Sequence, residues 1–88
     1  MNISPDSEPP RGPAGAATVD ITIPVFNEEE VLEKTISSLT EFLKENLLNP
    51  WRITIADNAS TDNTQDISEM LCSRYQGVSY LRIPQKGR

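Results

Sequence analysis

The chain has 88 residues and a formal net charge of −5, so it has room for one small domain at most and lacks the basic stripe that nucleic-acid binding usually needs. It contains no histidine, which excludes Ser-His and Cys-His catalysis and every histidine-based metal site. Its single cysteine, Cys72, has no intramolecular disulfide partner, which agrees with a reducing compartment.

No targeting or membrane-spanning segment is recognisable in the sequence. The chain does not begin with a basic stretch followed by an apolar run, and no apolar stretch approaches about 18 residues. We therefore expect a cytoplasmic protein, with peripheral membrane association left open for a full-length protein and any membrane contact made through regions that these residues do not include.

Residues 1–17 are rich in proline and glycine. They hold four of the seven prolines and, beyond the initiator Met, one aliphatic side chain larger than Ala, that of Ile3. Such a segment buries too little apolar surface to offset its ordering entropy, so we predict a disordered tail over residues 1–17 and a folded domain over residues 18–88. The roughly 70 remaining residues are few for a single core.

The first strand is predicted over residues 18–25. Val19, Ile21 and Ile23 alternate with polar residues in a run rich in β-branched side chains. Pro24 is expected to stop this strand because proline cannot donate to a sheet ladder.

A helix is predicted from Asn27 to the Asn49-Pro50 pair. Asn27 is expected to cap it, and Glu30 three residues on would complete a capping-box-like pair. The acidic residues 28–30 lie where a helix N-terminus favours negative charge. Apolar residues then recur at helical spacing, and the residue before proline is pushed out of the helical region.

The rest of the chain predicts a strand over residues 51–56, a polar loop over 57–62, a helix from about residue 63 to about 75 and a strand over 78–83. Residues 60–62 are expected mainly to cap the second helix, and Gly77 to end it. The order β-α-β-α-β predicts an α/β fold with a parallel sheet, its strands in consecutive order.

Polar residues concentrate where the first two strands end. In open parallel sheets, ligands bind outside these carboxyl ends. A nucleotide base with an N–H flanked by carbonyls needs an acceptor, and a ribose needs a carboxylate for its hydroxyls. Glu28, Asp57 and Asn58 supply such groups, and Phe26 is placed to shield a base from water.

Two segments resemble motifs of the family 2 glycosyltransferases. IPVFNEE (residues 23–29) is similar to their first-strand motif I-P-x-[YF]-N-E-E, and IADNASTDNT (residues 55–64) resembles their second-strand motif V-V-D-[DN]-G-S-T-D-x-T. KGR (residues 86–88) looks like the lysine-glycine element before their third helix. The resemblance covers residues 19–88, with the two motifs in order and a helix between them.

The resemblance implies the N-terminal β-α-β-α-β part of the Rossmann-like glycosyltransferase A fold, closest to the subgroup that loads sugars onto polyprenyl or dolichyl phosphates. The partners implied are a nucleotide-sugar donor and an acceptor such as a lipid phosphate. The family's Asp-x-Asp, which binds a divalent metal (Mg or Mn), and its catalytic base lie further on. We therefore expect an inactive N-terminal fragment without catalytic or metal-binding residues of its own.

The family motifs imply nucleotide contacts at positions next to the two strand ends: Pro24, Phe26, Glu28, Ala56, Asp57 and Asn58. Asp57 matches an acidic residue that is often more structural than ligand-touching, so capping of the following turn and ligand contact both stay open for it. Asn58 stands where many members have Asp, so its amide oxygen must replace a carboxylate. Ala59 replaces the usual glycine, which we expect to tighten the loop.

Three alternatives remain at this point. A non-catalytic nucleotide-binding fragment fits the same motifs. A response-regulator receiver also carries an aspartate at a strand end, but it needs an acidic pair at the end of strand 1, where this chain has Pro-Val-Phe (residues 24–26). A dinucleotide-binding Rossmann domain needs a G-x-G-x-x-G that the sequence lacks.

Overall fold

A computed structural model describes residues 17–84 of the chain. Three strands and two helices alternate along these residues: β1 (Val19–Val25), α1 (Leu32–Asn46), β2 (Trp51–Asn58), α2 (Thr64–Arg74) and β3 (Val78–Ile83). The β-α-β-α-β order is therefore confirmed. Of the predicted disordered tail, only Ala17 lies within the described residues, and the KGR element lies outside them. No helix within residues 17–84 is both long and apolar enough to cross a membrane.

The three strands form one parallel sheet in the order β1-β2-β3, which confirms the predicted topology. Val19 pairs with Trp51 at one end of β1, and Val25 pairs with Asp57 at the other. On the other side of β2, the pairing runs from Ile53 with Val78 to residue 58 with residue 83. The carboxyl ends of all three strands consequently meet at one edge of the sheet.

The hydrophobic core lies on one face of this sheet. Along β2, Ile53 and Ile55 are fully buried, whereas Arg52 on the opposite face is exposed. Side chains from both helices complete the core, including Leu32, Ile36, Leu43 and Leu71. A 2.9 Å hydrogen bond between the hydroxyls of Ser37 on α1 and Tyr75, directly after α2, also links these two elements. Both helices thus cover the same face, as two right-handed crossovers in the same direction require.

Strand β1 continues through Pro24 and ends at Val25, so the expectation that Pro24 stops the strand is wrong. Val19 donates its N–H to the Pro50 carbonyl at 2.9 Å, toward β2. Because backbone groups of successive strand residues point to opposite sides, the nitrogen of Pro24 faces away from β2. Its missing N–H therefore removes no hydrogen bond between β1 and β2.

Helix α1 begins at Leu32, and no side chain caps its N-terminus. Residues 28–31 form a turn instead, in which the N–H groups of Val31 and Leu32 donate to the Glu28 carbonyl at 3.1 and 3.0 Å. The predicted capping box of Asn27 and Glu30 is therefore wrong. Asn27 has a φ of 50°, in the left-handed region, and its side chain is engaged elsewhere.

Helix α2 ends at Arg74, and Tyr75 already has an extended backbone. Gly77 is therefore not the residue that ends the helix, and that prediction is wrong. Gly77 lies instead against the side chain of Trp51, where a Cβ atom would come within 2.6 Å of Cζ3 of the indole ring. The glycine is required by this close packing at the start of β2 and β3.

Candidate functional site

The segment that follows β1 turns along the carboxyl edge of the sheet and forms one wall of a cleft. This cleft has a volume of about 400 Å³. Phe26 is 56% exposed at its mouth, and the exposed Glu28 follows two residues later. The lining residues come from this segment and from the loop after β2: Phe26, Asn27, Glu28, Glu29, Glu30, Val31 and Asp62.

Asn27 joins the two loops that meet at this edge. Its side-chain oxygen Oδ1 accepts hydrogen bonds from the backbone N–H groups of Thr61 at 2.8 Å and Asp62 at 3.3 Å. Its own N–H donates to the Ser60 hydroxyl at 2.8 Å. The asparagine that was expected to cap α1 thus binds the loop between β2 and α2.

The next two residues add hydrogen bonds in both directions between the same loops. The Glu28 N–H donates to the Thr64 hydroxyl at 2.9 Å, and the Glu29 N–H donates to Asp62 Oδ2 at 3.3 Å. In return, the Asn63 N–H donates to Glu29 Oε1 at 2.7 Å. We call the set of hydrogen bonds between residues 27–29 and residues 60–64 the inter-loop clasp.

Asp62 caps the start of α2, as predicted for this loop. Its Oδ1 accepts the Thr64 N–H at 2.8 Å and the Thr64 hydroxyl. Partial desolvation favours the neutral acid, but the hydrogen bonds from Thr64 and from the Glu29 N–H outweigh it and lower the pKa of Asp62. Ser60 and Thr61 serve the inter-loop clasp and do not cap α2, so for these two residues the capping prediction is wrong.

Asp57 is fully buried at the end of β2, and both of its carboxylate oxygens have partners. Oδ1 accepts the Ser60 N–H at 2.9 Å, and Oδ2 accepts the Tyr80 hydroxyl at 2.6 Å and Arg82 Nη1 at 3.3 Å. Burial disfavours the charged carboxylate, but the hydrogen bonds with Ser60 and Tyr80 and the charge of Arg82 together lower the pKa of Asp57. The capping role left open for Asp57 is thus present, whereas its contact with a nucleotide remains a prediction.

The loop between Asp57 and Ser60 turns sharply at Ala59, whose φ is 59°. A side chain in this left-handed region costs energy that glycine would not incur. Asn58, just before it, is exposed, and within the described residues its side chain makes no hydrogen bond. The carboxylate of Glu28 is likewise without a partner in residues 17–84.

The structure brings the six residues expected to contact a nucleotide to the same edge of the sheet. Phe26 and Glu28 line the cleft, and Asn58 is exposed on the neighbouring strand end. Pro24 is exposed at the edge of β1 and pairs in register with Ala56, which is only 6% exposed. Nucleotide contact by any of the six stays a prediction, and the cleft itself is lined by two of them.

Sequence reasoning missed the partners that hold this edge together. The Asp57-x-x-Ser60 spacing is typical of an aspartate that bonds a nearby backbone N–H, and it was a usable signal. The contact of Asp57 with Tyr80 and Arg82 depends on the pairing of β2 with β3, which places Asp57 directly opposite Arg82. No local pattern indicated the role of Asn27 or Thr64.

No group of three or more His, Cys, Asp or Glu side chains within residues 17–84 is arranged to hold a metal ion. The described residues therefore do not fit the divalent ion that the family resemblance implies.

The family model described as Glycosyl transferase family 2 matches residues 20–88, a stretch that contains both motifs. The chain belongs to this family. No curated protein and no solved structure matches it. Family membership decides against the receiver and dinucleotide-binding alternatives, and the parallel sheet is the N-terminal β-α-β-α-β part of the Rossmann-like glycosyltransferase A fold.

Proposed function

We propose that this chain supplies the nucleotide-binding part of a glycosyltransferase that moves a sugar from a nucleotide-sugar to an acceptor, with polyprenyl phosphate as the acceptor class. The observation that carries the proposal is the grouping of an exposed aromatic ring, Phe26, with two acceptors that have no partner within residues 17–84, Glu28 and Asn58, at the carboxyl edge of a parallel sheet. Such an edge is where ligands bind in this architecture.

The size and chemistry of the cleft support a nucleoside as the group bound there. Its volume of about 400 Å³ falls within the range of small-molecule sites. Phe26 offers a stacking surface for a base, and Glu28 offers a carboxylate for ribose hydroxyls. Asn58, as a neutral acceptor for a base N–H, avoids the desolvation cost of a carboxylate.

The charge of the cleft favours one orientation of a bound nucleotide-sugar. Among the described residues that line it there are four carboxylates and no Lys or Arg: Glu28, Glu29, Glu30 and Asp62. Negative charge repels phosphate, so we propose that base and ribose occupy the cleft while the diphosphate points away from it.

We also propose that the 88-residue chain alone transfers no sugar. Its sequence contains neither an Asp-x-Asp nor a histidine. Other residues would have to supply the catalytic base and the ligands of the divalent ion (Mg or Mn) that the family resemblance implies. A cytoplasmic location and a lipid-phosphate acceptor belong to the same proposal.

The test is calorimetric titration of uridine, guanosine and their diphosphates into the chain without divalent cations. We expect one nucleoside to bind, and its diphosphate to bind no more tightly. Phe26→Ala should weaken binding, whereas Phe42→Ala should not, although Phe42 on α1 is similarly exposed at 60%. Equal loss in both variants, or no binding by the unmodified chain, would contradict the proposal. Product formation from labelled nucleotide-sugars and polyprenyl phosphate would contradict the inactivity of the chain.

A further inference from the structure

We propose that Asn27 is a positioning residue of this site: its side chain holds Phe26 and Glu28 in a fixed relation to Asn58. The inference rests on the proposed function, because it concerns how the base-binding groups are arranged before a ligand arrives. It assigns the role to the side-chain oxygen of Asn27 and to the left-handed backbone that this residue adopts.

Asn27 orients two of the proposed binding groups through its backbone. It stands between Phe26 and Glu28, and its φ of 50° fixes how the side chains of these two neighbours are oriented relative to each other. Asparagine adopts this conformation more readily than most residues with a side chain. A residue that avoided the left-handed region would change the angle between the aromatic ring and the carboxylate.

The Asn27 side chain binds the neighbouring loop. Its Oδ1 accepts two consecutive backbone N–H groups, those of Thr61 and Asp62, on the loop that follows Asn58. The Asn27 N–H donates to the hydroxyl of Ser60, which is buried. The Ser60 N–H in turn donates to Asp57 at the end of β2. Asn27 is thereby linked through Ser60 and Asp57 to the strand end that carries Asn58.

These contacts between the loops have a consequence for ligand binding. Each side of the site carries different binding groups, so a ligand that contacts both sides needs them in the correct relative position. The inter-loop clasp holds this relative position in the free protein. Without it, binding must also order the loops, which weakens affinity through the lost preorganisation.

The experiment compares three variants of the full chain at a temperature where each is folded. Asn27→Gly tolerates the backbone conformation but lacks the acceptor oxygen, whereas Asn27→Asp keeps both the oxygen and tolerance of that conformation. Asn46→Gly is the matched control, since it makes the same change at an exposed residue of α1 that does not line the cleft. The ligand is the nucleoside that the unmodified chain binds, because its neutrality avoids repulsion by the new carboxylate of Asn27→Asp.

We expect Asn27→Gly to weaken nucleoside binding by roughly three- to tenfold, and Asn27→Asp and Asn46→Gly to bind close to the unmodified chain. In the ligand-free protein, hydrogen exchange at the N–H groups of Thr61 and Asp62 should accelerate in Asn27→Gly and be restored in Asn27→Asp. Unchanged affinity in Asn27→Gly, or failure of Asn27→Asp to restore it, would overturn the inference while leaving the proposed function intact. No nucleoside binding by the unmodified chain would overturn both.

Discussion

Tyr80 on β3 donates its hydroxyl to the carboxylate of Asp57 at the end of β2, at a distance of 2.6 Å. The carboxylate is fully buried, and Arg82, two residues beyond Tyr80, supplies the opposite charge. Burial and the neighbouring carboxylate raise the pKa of Tyr80, so the hydroxyl remains a donor over the ordinary pH range. One strand therefore fixes the loop that begins on its neighbour.

Replacing Asp57 by Asn should act mainly on stability. The amide keeps the shape but removes the charge that Arg82 neutralises and one of the acceptor oxygens. We expect the free energy of unfolding to fall by about 2–4 kcal/mol, measured by chemical denaturation. Asp66→Asn, on the exposed first turn of α2, is the control and should change it little. Normal stability together with lost nucleoside binding would show that Asp57 is a ligand-contacting residue instead.

The stability of the chain should depend on Asp57 in acid. A carboxyl whose folded pKa is lowered stabilises the native state above its unfolded pKa of about 3.9, and this contribution is lost as the pH falls through the folded pKa. The melting temperature should therefore fall below about pH 4 more steeply in the unmodified chain than in Asp57→Asn. Parallel melting curves for the two proteins between pH 6 and pH 2 would contradict this.

Replacing Ala59 by Gly should stabilise the chain. The left-handed φ of 59° strains an alanine by about 1–2 kcal/mol, and the greater unfolded-state entropy of glycine offsets part of the relief. We expect a gain of about 0.5–1 kcal/mol in the free energy of unfolding. Ala56→Gly, within β2, provides the contrast and should destabilise. A loss of stability in Ala59→Gly would mean that the loop gains nothing from relieving this conformation.

Gly77→Ala should destabilise the chain through contact with Trp51. The new Cβ would lie 2.6 Å from the buried indole, so the packing at the start of β2 and β3 must shift, at a cost of about 1–3 kcal/mol. A double-mutant cycle with Trp51→Leu gives the cause: once the indole is replaced by the smaller side chain, the same glycine change should cost much less. An equal cost with and without the indole would point to the backbone at Gly77 and not to the ring.

Replacing Asn58 by Ala should leave stability nearly unchanged, because the side chain is exposed. In an intact enzyme, or in this chain if it binds a nucleoside as proposed, the base N–H would lose its acceptor. That loss is worth about 1–3 kcal/mol, which is roughly a five- to hundredfold weaker affinity. Calorimetric titration measures it, and full affinity in a folded Asn58→Ala chain would remove Asn58 from the base-binding groups.

The fold could be predicted because its determinants are local. Alternating apolar residues specify the strands, and the short connections through helices specify their parallel, consecutive order. The bounds of β3, residues 78–83, follow from the same pattern. The general location of the candidate site was also predictable, because ligands bind at the carboxyl edge of such sheets.

The errors concern residues whose roles depend on distant parts of the chain. Asn27 has the sequence context of a helix cap. Its side chain instead accepts hydrogen bonds from N–H groups of the loop at residues 60–64, and none from the start of α1. Gly77 has the context of a helix stop, but Trp51 on the neighbouring strand requires it. Pro24 has the sequence context of a strand end. It is tolerated within β1 because its nitrogen faces away from β2, which only the strand pairing reveals. None of these partners is visible in local propensity.

The orientation of Pro24 also bears on how copies of the sheet could join edge to edge. A strand added beside β1 would meet outward-facing N–H and C=O groups at Asp20 and Thr22, but only a carbonyl at Pro24. The ladder of such an added strand would be interrupted next to the cleft. The edge of β3 has no proline within residues 78–83, so it offers an incoming strand an uninterrupted row of backbone N–H and C=O groups. We therefore expect polymerisation by sheet extension to start from β3, because Pro24 interrupts the ladder of a strand added beside β1.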